Sequence, residues 1–582
     1  MDKKNLIPVM ICFVLLLTYQ PILNHFYPPA PAPAAGATAA NAPEAPAPAP
    51  AAESAPEMTP APAPLVPETA LAPEQTAVLE NDFIRVEFTS HGGGVRRIEL
   101  KQHKAEGDAP VILNNGSKTA LFNITGWSNG YSLIGYKLES SDAGTVVFSR
   151  VLSSGLEVKR VYTLAGDYSL NLEQTVYNQG QTLQVLPSYR LSLGAATPVH
   201  PADANEKRYI GCSWHTGNGD YSGHKLAEFD PASFLGLKLW GGKTLVQSKE
   251  QDQIDWVALN TQFFVMLTNC VDFHAKGVEG HRNYYPELRT QMNQAVPAGF
   301  AADLAVPGVQ VAAGGSFTQK FSLYAGPKQD SRLRALGGGK ERVMDFGMFG
   351  FVSRGLLIGM NWIHSYTRNY GVTVIILTIL LRIVLWVPQS AANKSMKRMQ
   401  AVSPLLKEIQ DKYKDKPEKL NEEMLKLYRD YGVNPVGGCL PMLIQFPIFL
   451  GFYSMLQGAI ELRHQPFLWI HDLSQPDTIA HLPIPGYELA LNPMPLIMTV
   501  TMFISMRMTP QPAGVDNPTA KVMKFMPFMF LVFCYNFSSA LSLYWTMQNI
   551  LSIIQMRYNL KQAAPSLEEM KAQVQAKRKK KR

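Results

Sequence analysis

Cysteine is scarce: five in 582 residues. Cys12, Cys212, Cys270, Cys439 and Cys534 stand far apart, with no CxxC and no Cys/His spacing for a metal ligand set. No metal or other cofactor is therefore expected. GxSxG, HExxH and a Walker A loop are also missing, which removes the commonest hydrolase, metalloprotease and nucleotidase readings. Gly241-Gly242-Lys243-Thr244 imitates the end of a phosphate loop, but the glycine needed five places before Gly242 is Leu237. A strand turn is the reading there, and no enzyme is expected. Internal repeats are absent too, which counts against a transporter built from two related halves. Large apolar residues almost vanish between Pro28 and Thr76, where proline and alanine dominate. Residues 25–77 cannot bury a core and read as an extended linker.

What is present divides into two textures. Lys3 and Lys4 precede an apolar run from Leu6 to Leu23, about the length that crosses a bilayer. Residues 1–24 read as an uncleaved anchor whose N-terminus stays inside. A cleaved signal is the alternative, because small-x-small patterns follow Pro28. Residues 78–330 then carry period-two alternation: Ile84-Arg85-Val86-Glu87-Phe88, more loosely Leu156 to Tyr162, and Tyr168, Leu170, Leu172, Gln174 and Val176 on one face. Alternation of that period gives a sheet with one buried and one wet face. Gly92–Gly94 and Asn178–Gly180 separate runs. One large antiparallel β-sandwich is expected, with Cys212 and Cys270 as a possible disulfide if it lies in an oxidising compartment.

After a Gly-rich basic connector the texture becomes helical. Residues 343–366 are apolar but carry Asp345, Arg354, Asn361 and His364, which suits an amphipathic helix lying in a membrane interface. Spans are expected at about 370–387, 436–459, 491–508, 522–537 and 540–558, making six with the anchor; only helices or closed barrels satisfy their backbone in lipid. Between 389 and 435, Met396, Met399, Val402, Leu406, Ile409 and Tyr413 recur at helical spacing, as do Leu420, Met424, Leu427 and Tyr431. Asp415-Lys416-Pro417-Glu418 divides them, so a two-helix coiled-coil hairpin follows, with Glu408/Lys412 and Glu422/Lys426 as favourable pairs. The hairpin holds ten Lys/Arg and seven Asp/Glu, the 461–489 loop only Arg463, and the tail after Leu560 eight basic residues. Basic loops stay inside. Both termini and the hairpin are then cytoplasmic, the β domain is external, and the basic tail, 561–582, suits anionic lipid or nucleic acid.

One residue breaks the pattern. Arg382 lies within Val372–Val387, where an arginine at a span's centre costs about 2.5–3.5 kcal/mol. It either snorkels to the headgroups or faces a wet space among the helices. Thr378, four residues earlier, shares its face. In the last span Tyr544, Trp545, Gln548 and Asn549 add aromatic and polar groups, read either as an interfacial belt with helix-to-helix bonds or as the facing wall of that space.

The stretches Thr373–Tyr431, NPVGGCLPMLIQFPIFLGFYSML, FLWIHDLSQPD, KFMPFMFLVFCYNFSSALSLYW and QNILSIIQ resemble the YidC/Oxa/Alb membrane insertases. NDFIRVEFTSHGGGVRRIEL and VYTLAGDYSLNLEQTVYNQG resemble the periplasmic domain of their Gram-negative members. The resemblance implies a polytopic inner-membrane protein with a five-helix core, a periplasmic β-supersandwich of sugar-epimerase type and a cytoplasmic helical hairpin. It implies a hydrophilic groove open to cytoplasm and lipid, with Arg382, Thr378, Tyr544, Trp545 and Gln548 as its residues. Two departures bear on that lining: Trp545 stands where the family often has tyrosine, and Met506 where some relatives have glutamine. The implied work is insertion, folding and assembly of inner-membrane proteins, alone or with the Sec translocon and its accessory proteins. The hairpin and tail would meet the ribosome and the signal-recognition receptor.

Overall fold

The computed structural model describes residues 72–581, apart from 106–107, 118, 126–134, 143, 153, 200–206, 235–236, 250–251, 290–294, 414–415, 434–439, 485–486, 509–517 and 561–565. The expected anchor, nearly all of the linker, Cys12 and Cys439 lie outside the described residues. Strands run from Thr76 to Pro327. Among the described residues the largest sheet has nine strands. Their order is Tyr221–Lys225, Gly211–Thr216, Ile254–Asn260, Phe264–Val271, Ser316–Pro327, Ser169–Asn178, Leu156–Leu164, Thr145–Val151 and Lys137–Ser141. All neighbours are antiparallel. A five-stranded sheet packs against it: strand Tyr189–Ala196 lies on Ile254–Asn260 and Phe264–Val271, so Leu191 and Leu304 share one core with Leu259 and Leu267.

The alternation does what its period requires. In Leu156–Leu164 the residues Leu156, Val158, Arg160 and Tyr162 all point inward. Arg160 is fully buried there; its Nε donates to Gln174 Oε1 at 2.9 Å, and Nη1 donates to the carbonyls of Gly92 and Gly93 at 2.9 and 3.1 Å. Gly92 and Gly93 have positive φ, which frees those carbonyls to turn into the core. Cys212 and Cys270 are free, buried thiols on separate strands, so no disulfide joins them. Burial pushes the Cys270 thiol up to about 12, where it stays protonated.

Nine helices of eight or more residues are described after the sandwich: α1 Gly350–Thr367, α2 Tyr370–Val384, α3 Trp386–Lys412, α4 Pro417–Tyr431, α5 Leu440–Gly458, α6 Pro493–Met508, α7 Pro518–Cys534, α8 Ser539–Leu560 and α9 Leu567–Lys581. Asn369 caps α2 by accepting from the Val372 amide, and Pro417 occupies the first turn of α4, where a missing N–H costs nothing. Among the described residues no helix is long and apolar enough to cross a membrane. The 15 residues of α2 rise about 22 Å before a turn at Leu385, against a hydrocarbon thickness of roughly 30 Å. The second expected span and the first hairpin helix are thus separated by a single residue.

α3 and α4 form the hairpin, and within it Lys426 pairs with Glu423 at 3.6 Å. The basic tail, which the sequence marks by its charge, contains α9, and α9 folds back onto the hairpin. Met570 enters a small core with Val402, Tyr431 and Val433, and Arg398 donates to Gln573 Oε1 at 2.6 Å. The sandwich is joined to the helices directly. Tyr209 and Gln262 bond the side chain and carbonyl of Gln457 on α5 at 2.7 and 2.9 Å. Arg463, just beyond α5, donates to the Lys104 carbonyl at 2.6 Å and lies over Phe264.

Candidate functional site

α2, α5, α6 and α8, with the first turns of α3, surround a cavity of about 360 Å³. Its wall is about half polar: Arg382, Gln389, Asn393, Gln445, Gln548 and Gln555 face it beside Met396, Phe449 and Met556, with Tyr544 and Trp545 at the end nearest the sandwich. On α8 Tyr544, Gln548, Ser552 and Gln555, spaced four, four and three, form one face of the helix, with Trp545, Asn549 and Met556 beside them. Tyr544 to Met556 spans about 18 Å of that helix.

Arg382 enters from α2, 8% exposed. Its Nη2 donates to Gln555 Oε1 at 2.7 Å and to Ser552 Oγ at 3.0 Å, while its Nε is buried without a partner. No carboxylate among the described residues reaches it within ion-pair distance. The guanidinium is therefore held by neutral acceptors, with a full charge and a donor left over. Arginine keeps that charge at any physiological pH. The side chain points into the helices, not outward along α2 as snorkelling would require.

The aromatic end is closed by packing. Tyr544 stacks on Phe452 with centroids 4.0 Å apart, and Gln445 donates to the Tyr544 hydroxyl at 3.4 Å. Trp545 stands edge-on to Phe449 at 4.6 Å and tilts against Phe530 at 5.0 Å. Beyond them a hydrogen-bonded cap ties the 463–492 loop to the start of α8: Ser539 Oγ donates to the carbonyls of Asp472 and Gln475, and Asn492 donates to that of Tyr535. Gln548 is 8% exposed beside the Tyr544 hydroxyl, and neither of its amide atoms reaches a partner in full hydrogen-bond geometry. A buried amide left so costs one to a few kcal/mol unless something polar enters the cavity.

Of the five residues expected at the groove, Arg382, Tyr544, Trp545 and Gln548 line this cavity. Thr378 does not: it is fully buried and its hydroxyl donates back to the Val374 carbonyl at 2.7 Å. Ser505, beside the Met506 departure, supplies a polar group on α6. Gln389, Asn393, Gln445, Ser552 and Gln555 escaped the sequence reading. The spacing of Ser552 and Gln555 behind Gln548 was the available signal for two of them.

Two family models match almost all of this structure: the YidC periplasmic domain over residues 76–358 and the 60Kd inner membrane protein over residues 362–566. A membrane protein insertase YidC of Pelobacter propionicus is 31% identical over 513 residues, covering 85% of this chain and 88% of that one. The chain belongs to the YidC family of membrane protein insertases. Its YidC relative in Geotalea daltonii is also 31% identical, over 588 residues, 96% of this chain and 99% of that one. The match therefore includes both the sandwich and the helices, and this is an inner-membrane family with a periplasmic domain. A crystal structure of an active YidC insertase covers 85% of this chain and 96% of its own at 16% identity and a TM-score of 0.33, and one of YidC from Thermotoga maritima reaches 0.26 at 12% identity.

Proposed function

We propose that the cavity receives the polar tail of a membrane protein during insertion, and that Arg382 supplies the attraction. The supporting observation is an arginine within a polar, partly enclosed space with no carboxylate partner among the described residues. A partly hydrated space shortens the hydrocarbon that an acidic tail must cross, and a fixed cation lowers the cost of that tail's charge. Burial of the substrate's apolar span in lipid then drives release. No covalent step is assigned to the chain, and its substrates are nascent inner-membrane proteins.

In this reading five helices, α2 and α5 to α8, lie in the bilayer with the N-terminal anchor as a sixth span, and both termini face the cytoplasm. The outward residues support it: Leu380, Ile383 and Val384 on α2, Val500 and Phe503 on α6, and Phe525, Phe528, Val532 and Phe533 on α7 are exposed. α1 presents Phe351, Ile358, Trp362 and Tyr366 outward, as an interfacial helix would. The α3–α4 hairpin and α9, at the cavity's far end from the sandwich, are the surface proposed for the ribosome, the signal-recognition receptor and anionic lipid. The Sec translocon and its accessory proteins are the proposed membrane partners.

The test is insertion of a single-span substrate with an acidic N-tail into liposomes holding the purified protein, followed by protease protection. Arg382→Ala is expected to lower insertion about tenfold, and a substrate with its tail acids neutralised is expected to lose most of that difference. Equal insertion by Arg382→Ala with both tails would remove the charge-attraction role.

A further inference from the structure

A second polar cavity, of about 210 Å³, lies in the sandwich, far along the chain from the insertion cavity. It sits where the strands Gly211–Thr216 and Tyr221–Lys225 meet the connector around Val343 and Asp345, just before α1. At roughly 30 Å³ of liquid volume per water it would hold about seven waters or a small organic molecule. Two of its lining side chains are more than nine-tenths buried and incompletely bonded. Lys328 is 7% exposed, and its ammonium has one long bond, 3.3 Å to the Thr261 carbonyl. Asn260 is 8% exposed; its amide nitrogen bonds Ser213 Oγ at 3.0 Å, but its oxygen Oδ1 has no partner. The one carboxylate in the lining, Asp345, is already taken by Lys225 at 2.7 Å.

The cavity thus offers a spare cationic donor and a spare acceptor, and no free negative charge. Native interiors rarely leave both kinds of buried group unpaired. We propose that this cavity binds a small carboxylate carrying a neighbouring hydrogen-bond donor, with Lys328 opposite the carboxylate and Asn260 Oδ1 taking the donor. A free hydroxy acid and the C-terminal residue of a peptide share that chemistry. Either ligand would bridge the sandwich and the connector that leads to α1.

Burial, with Lys225 nearby, pulls the Lys328 ammonium down to about 7, so bound carboxylate must recharge it as pH rises. The other ionisable groups in the lining are accounted for. Burial pushes Asp345 up, but Lys225 outweighs it and holds the carboxyl below its usual range. Burial pushes Tyr221 up to about 12 and Cys212 higher still, and His224 is held at 3.0 Å from Glu228.

The experiment is calorimetric titration of the full-length protein in detergent with L-lactate and, separately, with acetyl-Ala-Ala. Binding at millimolar concentration is expected, weakened about tenfold or more in Lys328→Met and about fivefold in Asn260→Leu. In the wild type, affinity should fall about tenfold between pH 7 and pH 9, a readout that survives if a variant misfolds. Lactate alone binding would assign a free acid; tighter binding of acetyl-Ala-Ala would assign a chain end. Silence of both probes up to roughly 50 mM, binding unchanged in folded Lys328→Met, or affinity flat from pH 7 to 9 would each overturn the proposal.

Discussion

The two halves of this chain place polarity in opposite ways. In the sandwich, Phe88, Phe148, Tyr162 and Phe321 are buried, and in strands such as Ile84–Thr89 and Ser169–Asn178 the alternate residues are more exposed. In the helical half, glutamines, asparagines and an arginine turn inward to a cavity while phenylalanines and valines turn outward. In the proposed reading the same hydrophobic logic yields both, with water around the sandwich and lipid around the helices. Buried arginine shows the contrast best. Arg160 in the sandwich is bound by three acceptors and the Tyr136 face, 4.8 Å away. Arg382 is bound by two; each arginine keeps one buried nitrogen without a partner, Nη2 in Arg160 and Nε in Arg382, and the difference is the polar cavity that Arg382 faces. One arginine completes a core, and the other charges a cavity.

Substitution should separate those roles. Arg160→Leu strands the Gly92 carbonyl and the Gln174 oxygen in the core, while the Tyr162 hydroxyl still serves Gly93, at an expected cost of about 3–5 kcal/mol. Arg382→Leu should change stability by less than about 1 kcal/mol, since the loss of a desolvated charge offsets the lost bonds, while insertion of acidic tails collapses. Denaturation of both variants beside the liposome assay checks the pair. A large stability loss in Arg382→Leu would make it another structural arginine.

A smaller effect compares one residue type in the two solvents. Val151 is 67% exposed on a sandwich strand and Val532 is 80% exposed on α7. Val151→Asp should cost under about 0.5 kcal/mol. Val532→Asp should cost about 2.5–3.5 kcal/mol if lipid covers it, and should reduce the yield of folded protein in membranes. Equal, small costs would place α7 in water. A smaller effect again concerns close packing: a Cβ on Gly451 of α5 would lie 2.7 Å from Val352 Cγ1 on α1. Gly451→Val should therefore cost about 1–3 kcal/mol and loosen α1, read as faster hydrogen exchange at Leu356 and Leu357.

The strands were legible because period two survives in Ile84–Phe88 and in Tyr168–Val176. The same parity placed Arg160 inward, although its charge argued for the surface; its partners come from residues 68 and 14 positions away, beyond any local pattern. Arg382, Tyr544, Trp545 and Gln548 were legible as polar or aromatic exceptions in apolar runs, and four of the five expected residues meet at one cavity. Thr378 shares the helical face of Arg382, yet spacing cannot reveal that its hydroxyl is spent on Val374. The docking of α9 was illegible because among the described residues only Met570 and Leu567 of that basic helix meet the small core with Val402, too few to set a period.

The smallest expected effect lies within the sandwich and tests whether its polar groups are tuned by burial alone. Burial, with Arg463 next, pulls the His103 ring down to about 4, while burial, with Glu279, pushes the Asp303 carboxyl up to about 6. Between pH 4 and 6.5 the unfolded chain holds the His103 proton and the folded chain does not, so this group makes stability rise with pH. Between the ordinary carboxylate range and pH 6 the folded chain holds the Asp303 proton and the unfolded chain does not, so this group makes stability fall with pH. From about pH 4.5 to 6 the two slopes oppose each other. His103→Gln should therefore leave a steeper fall of stability with pH than the wild type, and Asp303→Asn a steeper rise. Hydrogen-exchange protection of the sandwich in the full-length protein, corrected for intrinsic rates, reads both. If the two substitutions shift the slope in the same direction, burial is not what sets these groups, and the contrast between a dry sandwich core and a wet helical cavity loses its electrostatic support.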